Sequence, residues 1–252
     1  MKFVEYINGL RGVLARIVEE QSDNIRNAGL IVADSIANGG IIHTFGTGHS
    51  HIIAEDAFFR AGGISAVNPI LDERFIFLKG ALESTRAERE SGIASDLISH
   101  ENVGPDDTAI IISNSGRNAA PVEMALEMKS RGASVIAITS ITQSSASSPR
   151  HHSGKRLFEI ADIAIDNCVP PGDALVQIEG NVNPTGASST AAGSAVIHSI
   201  IIEALADLAR RGVTPPVLPS ANLENTSTDS IRDALRPYAG RIKYIDIETE
   251  ID

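Results

Sequence analysis

The 252-residue chain has one cysteine, Cys168, and no tryptophan. A single cysteine excludes an intrachain disulfide and a cysteine-based zinc site, and it fits a reducing compartment. Aromatic residues make up 4% of the chain, too few for an extended base-stacking surface. Positive charge is in deficit: 21 Lys+Arg stand against 32 Asp+Glu, a formal net charge of −11. Such a chain lacks the basic field of a nucleic-acid binder. A small anionic ligand is not excluded, because it feels only its local site. Long apolar runs are also missing. Stretches such as AIII at 109–112 fall far short of the about 20 residues that span a bilayer. Glu5, Arg11, Arg16, Glu19 and Glu20 interrupt the N-terminal apolar residues, so no signal-peptide core forms. The expectation is a cytoplasmic protein with neither a membrane nor a nucleic-acid partner.

What is present is the balance of a globular domain, 42% hydrophobic and 21% charged. Phe3, Ile7, Leu10, Leu14 and Ile17, then Ile25, Ala28, Ile31, Val32 and Ile36, recur at helical spacing. They predict a helix over 3–37, stopped by Asn38-Gly39-Gly40. A β-rich run over 41–45, a glycine loop at 46–50 and a helix over 51–61 follow. A second unit repeats the plan: a continuous apolar strand over 108–112, a polar loop at 113–118 and a helix over 119–131. Further strands are expected at 134–139, 161–166 and 174–178. A polar loop is expected over 140–156, an apolar helix over 185–211 and a short helix over 228–235. The region 70–100 reads as irregular, then helical from 83 to 99. Alternating strands and helices predict parallel βαβ units. The fold class is α/β, a doubly wound, mostly parallel five-stranded sheet with an N-terminal helical arm. The expected division is 1–38 for the arm, 39–212 for the α/β domain and 213–252 for the tail, within a single structural domain.

Chemistry is expected where helix starts converge at the carboxyl ends of parallel strands. Gly46 and Gly48 allow close backbone approach there, and Ser50 stands where a helix begins. Ser113, Asn114, Ser115 and Gly116 hold the same place in the second unit. Free N–H groups and helix dipoles suit phosphate. Ser and Asn are also ordinary helix caps, and two such loops on adjacent units tip the reading toward a shared anion site. The third glycine of a dinucleotide fingerprint is missing, as is a GxxxxGK[ST] loop.

FGTGHSHIIAEDAFFRAGG and IIISNSGRNAAPVEMALEMKSRGASVIAITS resemble the SIS (sugar isomerase) domain. The resemblance covers about residues 35–212. In that family the second loop reads SxSGxT and cradles the phosphate of a phosphosugar. Here Asn118 replaces the threonine and can still donate. The resemblance implies that Gly48, Ser50, Ser113, Asn114, Ser115, Gly116 and Asn118 hold a sugar phosphate, with Asn114 and Gly116 shaping the loop. Within the family the chain most resembles a bacterial group of stand-alone SIS proteins sharing GTGHSH, ISNSGRN and an HSSGK-like stretch, here His152-Ser153-Gly154-Lys155.

Phosphoheptose isomerases of the family use a glutamate on the helix after the first loop and a histidine on the last long helix. Phe59 and Arg60 stand where that acid would be, and His198, one turn after Ser194, is the nearest histidine. The family's etherase of N-acetylmuramic acid 6-phosphate carries a stretch similar to 186–194 and an acid for which Glu83 and Glu88 are candidates. The residues leave four catalytic candidates. Glu55 or Glu88 would act as general base, assisted by His49 or His198. The bland alternatives are surface acids for the glutamates and a core histidine for His198. His49, His51 and Glu55 have the side chains of metal ligands, but no fourth group joins them; neither metal nor cofactor is expected. The basic stretch 150–156 reads as a flap over an anionic sugar or a subunit contact.

The function expected is phosphosugar binding with aldose–ketose isomerisation. A phosphosugar lyase or etherase is the alternative if Glu83 or Glu88 enters the pocket. A non-catalytic phosphosugar sensor acting through a protein partner is the alternative from another class. The resemblance also implies a homodimer or homotetramer.

Overall fold

The computed structural model describes residues 1–224 and 226–248. In chain order it runs α1 (Lys2–Ala37), β1 (Ile42–Gly46), α2 (His49–Asp56), β2 (Val67–Pro69), α3 (Ala81–Ala87), α4 (Ile93–Ser99), β3 (Thr108–Ile112) and α5 (Ala119–Ser130). It continues with β4 (Ser134–Thr139), α6 (Ile141–Ser145), β5 (Ile163–Asp166), β6 (Ala174–Val176), β7 (Thr185–Ala187), α7 (Ser189–Arg210) and α8 (Thr228–Leu235). Five strands form one sheet in the order β2-β1-β3-β4-β5, with every neighbour parallel. The path leaves β1 toward one edge and returns to its other side at β3. The carboxyl ends of β1 and β3 therefore flank a topological switch point, the usual ligand crevice of open α/β sheets.

Both faces of the sheet are covered because both faces are apolar. Ile110, Ile112, Ile136 and Ile138 point to the layer of α1, α2 and α7. Their neighbours Ala109, Ile111, Val135 and Ala137 point to the layer of α4 and α5. The continuous apolar strands need this two-sided burial. Helix α7 is the one helix among the described residues long and apolar enough to cross a membrane. Its apolar face is taken up by the core instead, with Ala192, Val196, Ile197, Ile200, Ala204 and Leu208 buried. His198, Ser199 and Glu203 punctuate it, so it carries no long unbroken apolar run.

Several expected elements differ. The strand expected over 174–178 is β6, paired antiparallel with β7 in a separate two-stranded sheet. The fifth strand of the main sheet is instead β2, three residues ending in a proline. It is an edge strand, where a missing N–H is tolerated. The helix expected over 51–61 stops at Asp56, and Phe59 turns left-handed at φ 44° just beyond. The helix expected over 83–99 is broken into α3 and α4. Gly92 caps α4, and its N–H donates to both carboxylate oxygens of Glu123 at 2.9 Å. Residues 185–187 belong to β7, so the last long helix starts at Ser189. The polar stretch 140–156 contains the short helix α6.

The pole of the sheet remote from the crevice is tied by a charged network. Asp107, 1% exposed, accepts from the Ile41 N–H at 2.8 Å and the Gly104 N–H at 2.7 Å. Arg241, from the tail, donates to both of its oxygens at 3.0 and 2.8 Å. The buried His43 approaches from β1, its Nε2 3.4 Å from the same carboxylate, while its Nδ1 faces Asn68 at 3.1 Å.

Candidate functional site

The site is assembled from the loops that follow β1, β3 and β4. After β1 the chain turns within two residues into α2. A Cβ on Gly46 would fall on the Ser50 carbonyl group, so only glycine permits this tight entry. The Thr44 hydroxyl, from the same strand, donates to the Ala54 carbonyl at 2.8 Å and holds the helix down. Gly46→Ala is expected to destabilise the protein by about 1–3 kcal/mol, the cost of an overpacked site, as read from urea unfolding.

The second loop is built on Ser113, whose Oγ accepts the Gly116 N–H at 3.1 Å. Gly116 has φ 57°, and a Cβ there would press on the Thr139 and Ser144 hydroxyl oxygens at 2.8 and 2.9 Å. Asn114 pins the loop: it donates to Gln143 Oε1 at 3.0 Å and accepts from Asn167 at 2.9 Å. Its side chain is thereby committed to the scaffold.

These loops enclose a cavity of about 350 Å³ lined by Gly48, His49, Ser50, Ser113, Asn114, Ser115 and Asn118, with Thr47, Phe77, Thr85, Glu88 and Gln143. The Ser50 and Ser115 hydroxyls hold no side-chain hydrogen bond among the described residues. Neither α2 nor α5 has a side-chain cap at its start. The cavity thus gathers free hydroxyls and helix starts without side-chain caps, a fit for an oxyanion, although the Gly48 and Ala120 N–H groups are held by the Phe75 and Glu88 carbonyls.

Glu88 is the carboxylate of this cavity. It follows the last residue of α3 and comes from a region whose sequence is otherwise irregular. Thr47 Oγ1 donates to its Oε2 at 3.0 Å, and Asn118 Nδ2 donates to its Oε1 at 2.8 Å. Burial pushes its carboxyl above the ordinary value, against the opposing pull of the Thr47 hydroxyl and of the Arg89 and Arg150 charges. Asn118 also accepts from Arg150 Nη1 at 2.7 Å. Its amide therefore bridges Arg150 and Glu88. His49 stands at the exposed side of the cavity, its ring 4.9 Å from that of Phe77.

Glu55 and His198 are not brought to this cavity. Five residues at about 100° each carry Glu55 well past the direction of Ser50. Its side chain is 58% exposed and lies 3.4 Å from His51. Burial holds the His51 imidazole below its ordinary pKa, against the pull of Glu55. His198 Nε2 meets Asp56 Oδ2 at 2.9 Å, and Ser194 donates to the same oxygen at 3.1 Å. His198 and Arg60 line a separate cavity of about 220 Å³. Among the described residues no group of three or more His, Cys, Asp and Glu is placed to hold a metal ion. The basic stretch expected as a flap packs onto the second loop: Arg150 N donates to Arg117 O at 2.9 Å, and Leu157 N to Gly116 O at 2.8 Å.

Sequence reasoning singled out both loops but missed Thr47, Phe77, Thr85 and Gln143. Thr47 lies inside the GTGHS loop, where its hydroxyl was a visible signal. The others come from α6 and the α3 region and carry no local motif.

Residues 5–140 match the sequence profile described as the SIS domain. A UPF0309 protein of Geobacillus kaustophilus is 37% identical over 228 residues, 90% of this chain and 91% of its own length. Phosphoheptose isomerase from Neisseria gonorrhoeae has the same fold, with a TM-score of 0.52 at 15% identity over 79% of this chain and 92% of that one. A protein of E. coli CFT073, solved in complex with a sugar phosphate, gives a TM-score of 0.50 at 17% identity over 83% of this chain and 92% of that one.

Proposed function

The chain belongs to the SIS domain family, within the UPF0309 group, and from that premise we propose that it binds a sugar phosphate and interconverts its aldose and ketose forms. The observation that carries this reading is Glu88, a half-buried carboxylate in the wall of a cavity that otherwise offers free hydroxyls and helix starts without side-chain caps. The phosphate sits on the Ser50, Ser113 and Ser115 hydroxyls beside Gly48; the Gly48 and Gly116 N–H groups are already taken, by the Phe75 carbonyl and by Ser113 Oγ. Asn114 and Gly116 hold the loop in shape, and Asn118 holds Glu88. Neutral donors suffice for this, so the acidity of the chain is no obstacle.

With the phosphate fixed, the open-chain sugar extends toward Glu88. The carboxylate takes the proton from the carbon beside the carbonyl, giving an enediolate; the hydroxyl proton of that carbon passes to the former carbonyl oxygen, and Glu88 returns its proton to the former carbonyl carbon. The raised pKa of Glu88 suits it to both halves of that exchange. His49 hydrogen-bonds the sugar oxygens at the open side. Glu55 and His198 enter this scheme only if a second subunit supplies them. The ligand complex of the E. coli protein supports a sugar phosphate as the ligand, and the fold of the Neisseria enzyme supports the reaction class.

The same position of Glu88 favours a second reading, elimination from a phosphosugar by a lyase or etherase, which also begins with proton abstraction beside a carbonyl. The product separates the two: an isomer in one case, a released group in the other. Binding without turnover would leave the sensor.

A thermal-shift panel of sugar phosphates tests the binding. A true ligand at about 100 times its Kd is expected to add about 2.7 kcal/mol of stability. Deuterium exchange at C2 of that ligand, followed by NMR, then tests the isomerase. If no sugar phosphate raises the melting temperature, the reading fails. Phe3 and Ile7 on α1 and Ile202 on α7 are exposed, which supports the homodimer or homotetramer; sedimentation velocity reads it directly.

A further inference from the structure

Acidic groups outnumber basic ones in this protein, 32 to 21, so an arginine seldom lacks a carboxylate within reach. Among the described residues every arginine holds such an ion pair except Arg11, Arg89, Arg117 and Arg150. Arg11 lies on the surface of the N-terminal helix. The other three come from separate segments gathered around Arg150: Arg117 is joined to it through the backbone, and the charges of Arg117 and Arg89 both act on it. Arg89 follows Glu88 at the end of α3, Arg117 lies inside the second loop, and Arg150 lies in the stretch that packs onto that loop.

Hydrogen bonds hold the arrangement together. Arg150 reaches the Asn118 amide at 2.7 Å, and that amide reaches Glu88 at 2.8 Å. The Arg150 backbone N–H is held by the Arg117 carbonyl at 2.9 Å. The Arg117 Nε is buried and has no hydrogen-bond partner. Burial, then the charges of Arg117 and Arg89, push the Arg150 guanidinium below its ordinary pKa, so the three cations are near enough to repel. Glu88 is the acid they share, and none of them pairs with it. Holding like charges together costs free energy that an anion placed among them would recover.

We infer that the ligand of this cavity is a sugar phosphate bearing a second anionic group, a carboxylate or another phosphate, which reaches past Asn118 to Arg89, Arg117 and Arg150, outside the cavity lining. This rests on the phosphosugar reading above. The first phosphate sits on the neutral hydroxyl loops and needs none of these arginines. The second anion sits beyond Asn118, at the Glu88 end. Planar guanidinium groups match either oxyanion in a two-bond fork.

The test measures affinity by calorimetry on the full chain for fructose 6-phosphate, 6-phosphogluconate and fructose 1,6-bisphosphate. The first has a neutral far end, the second a carboxylate and the third a second phosphate. At least one doubly anionic ligand is expected to bind about tenfold or more tightly than fructose 6-phosphate, and the better of the two identifies the second group. Arg89→Gln, a change at an exposed side chain, is expected to shrink that ratio several-fold, as is Arg150→Gln. Raised salt should weaken the doubly anionic ligand more than the singly anionic one.

Equal affinity for all three ligands would overturn the inference and leave phosphosugar binding standing. No binding of any would overturn both. If the arginine variants change the sedimentation coefficient and not the ligand ratio, the cluster serves a subunit contact and the inference fails.

Discussion

Glu88→Gln is expected to abolish proton exchange at C2 of the bound sugar phosphate, slowing it by about 10²–10⁴-fold. The amide keeps the size of the side chain: its oxygen can still accept from Asn118 while its N–H donates to the Thr47 hydroxyl oxygen. It cannot take a proton from carbon. The substitution should leave the melting temperature nearly unchanged, because it also removes the cost of burying a charge. Ligand-induced stabilisation should survive, since the proposed phosphate site is on the serine loops. The informative pattern is therefore lost exchange with retained binding. The pH profile carries a second signature. A base works only when deprotonated, and burial has raised the Glu88 pKa. Exchange should fall as pH drops through a value above the usual carboxylate range. Glu55→Gln, by contrast, alters a surface side chain outside the cavity and should leave the rate unchanged in a monomer. A Glu88→Gln protein that exchanges at the parent rate would remove Glu88 from the mechanism.

The second large effect lies at the other pole. Asp107→Ala is expected to cost about 3–5 kcal/mol, the range for breaking a buried charge network by removing one partner. The change strands the Ile41 and Gly104 N–H groups and leaves Arg241 without its carboxylate. For a chain of this size that is roughly a 6–20 °C fall in melting temperature. Arg241→Ala should cost less, because His43 and two backbone donors still hold the acid. Acid unfolding gives an independent reading. Burial alone would raise the Asp107 pKa, but the hydrogen bonds from His43, Gly104 and Ile41 bring it down to about 2. A depressed folded pKa means stability that is fully present above the unfolded value near 3.9 and lost as pH falls toward about 2. Asp107→Asn should remove that portion of the acid transition. Unchanged thermal and acid midpoints would show that the network is not coupled to folding.

How much of this was legible beforehand depends on how local each signal is. Strands β3 and β4 announce themselves as apolar runs, because burial on both faces favours apolar residues; β1, with His43 and Thr44 buried inside it, shows only as a short β-rich run. The long first helix shows in its periodicity, and the two glycine- and serine-rich loops show in their position after strands. Strand β2 was invisible, since three residues ending in a proline carry no pattern and owe their state to pairing with β1. The break between α3 and α4 depends on Glu123, distant in sequence, reaching the Gly92 N–H. Glu88 was only one of several acids in the sequence. What singles it out is tertiary: Thr47 and Asn118, from two different loops, converge on its two oxygens. Glu55 lay closer to the motif in sequence, and the rotation of one helix carried it away.

The start of α7 adds one more consequence. Asp173 accepts the Ser188 and Ser189 N–H groups at 2.9 and 2.6 Å and the Ser189 hydroxyl at 2.6 Å. Ser140 and Ser227 fill the starts of α6 and α8 in the same manner, and Glu123 that of α4. The chain thus supplies a resident competitor at each of these positive ends. Apart from α1, the helices whose starts no side chain fills are α2, α3 and α5, all of which border the cavity; there only backbone carbonyls, of Phe75 at α2 and of Glu88 at α5, take up an N–H group. A dissolved anion that meets this acidic protein finds its other attractive sockets already plugged from within, so selectivity begins with which places are shut.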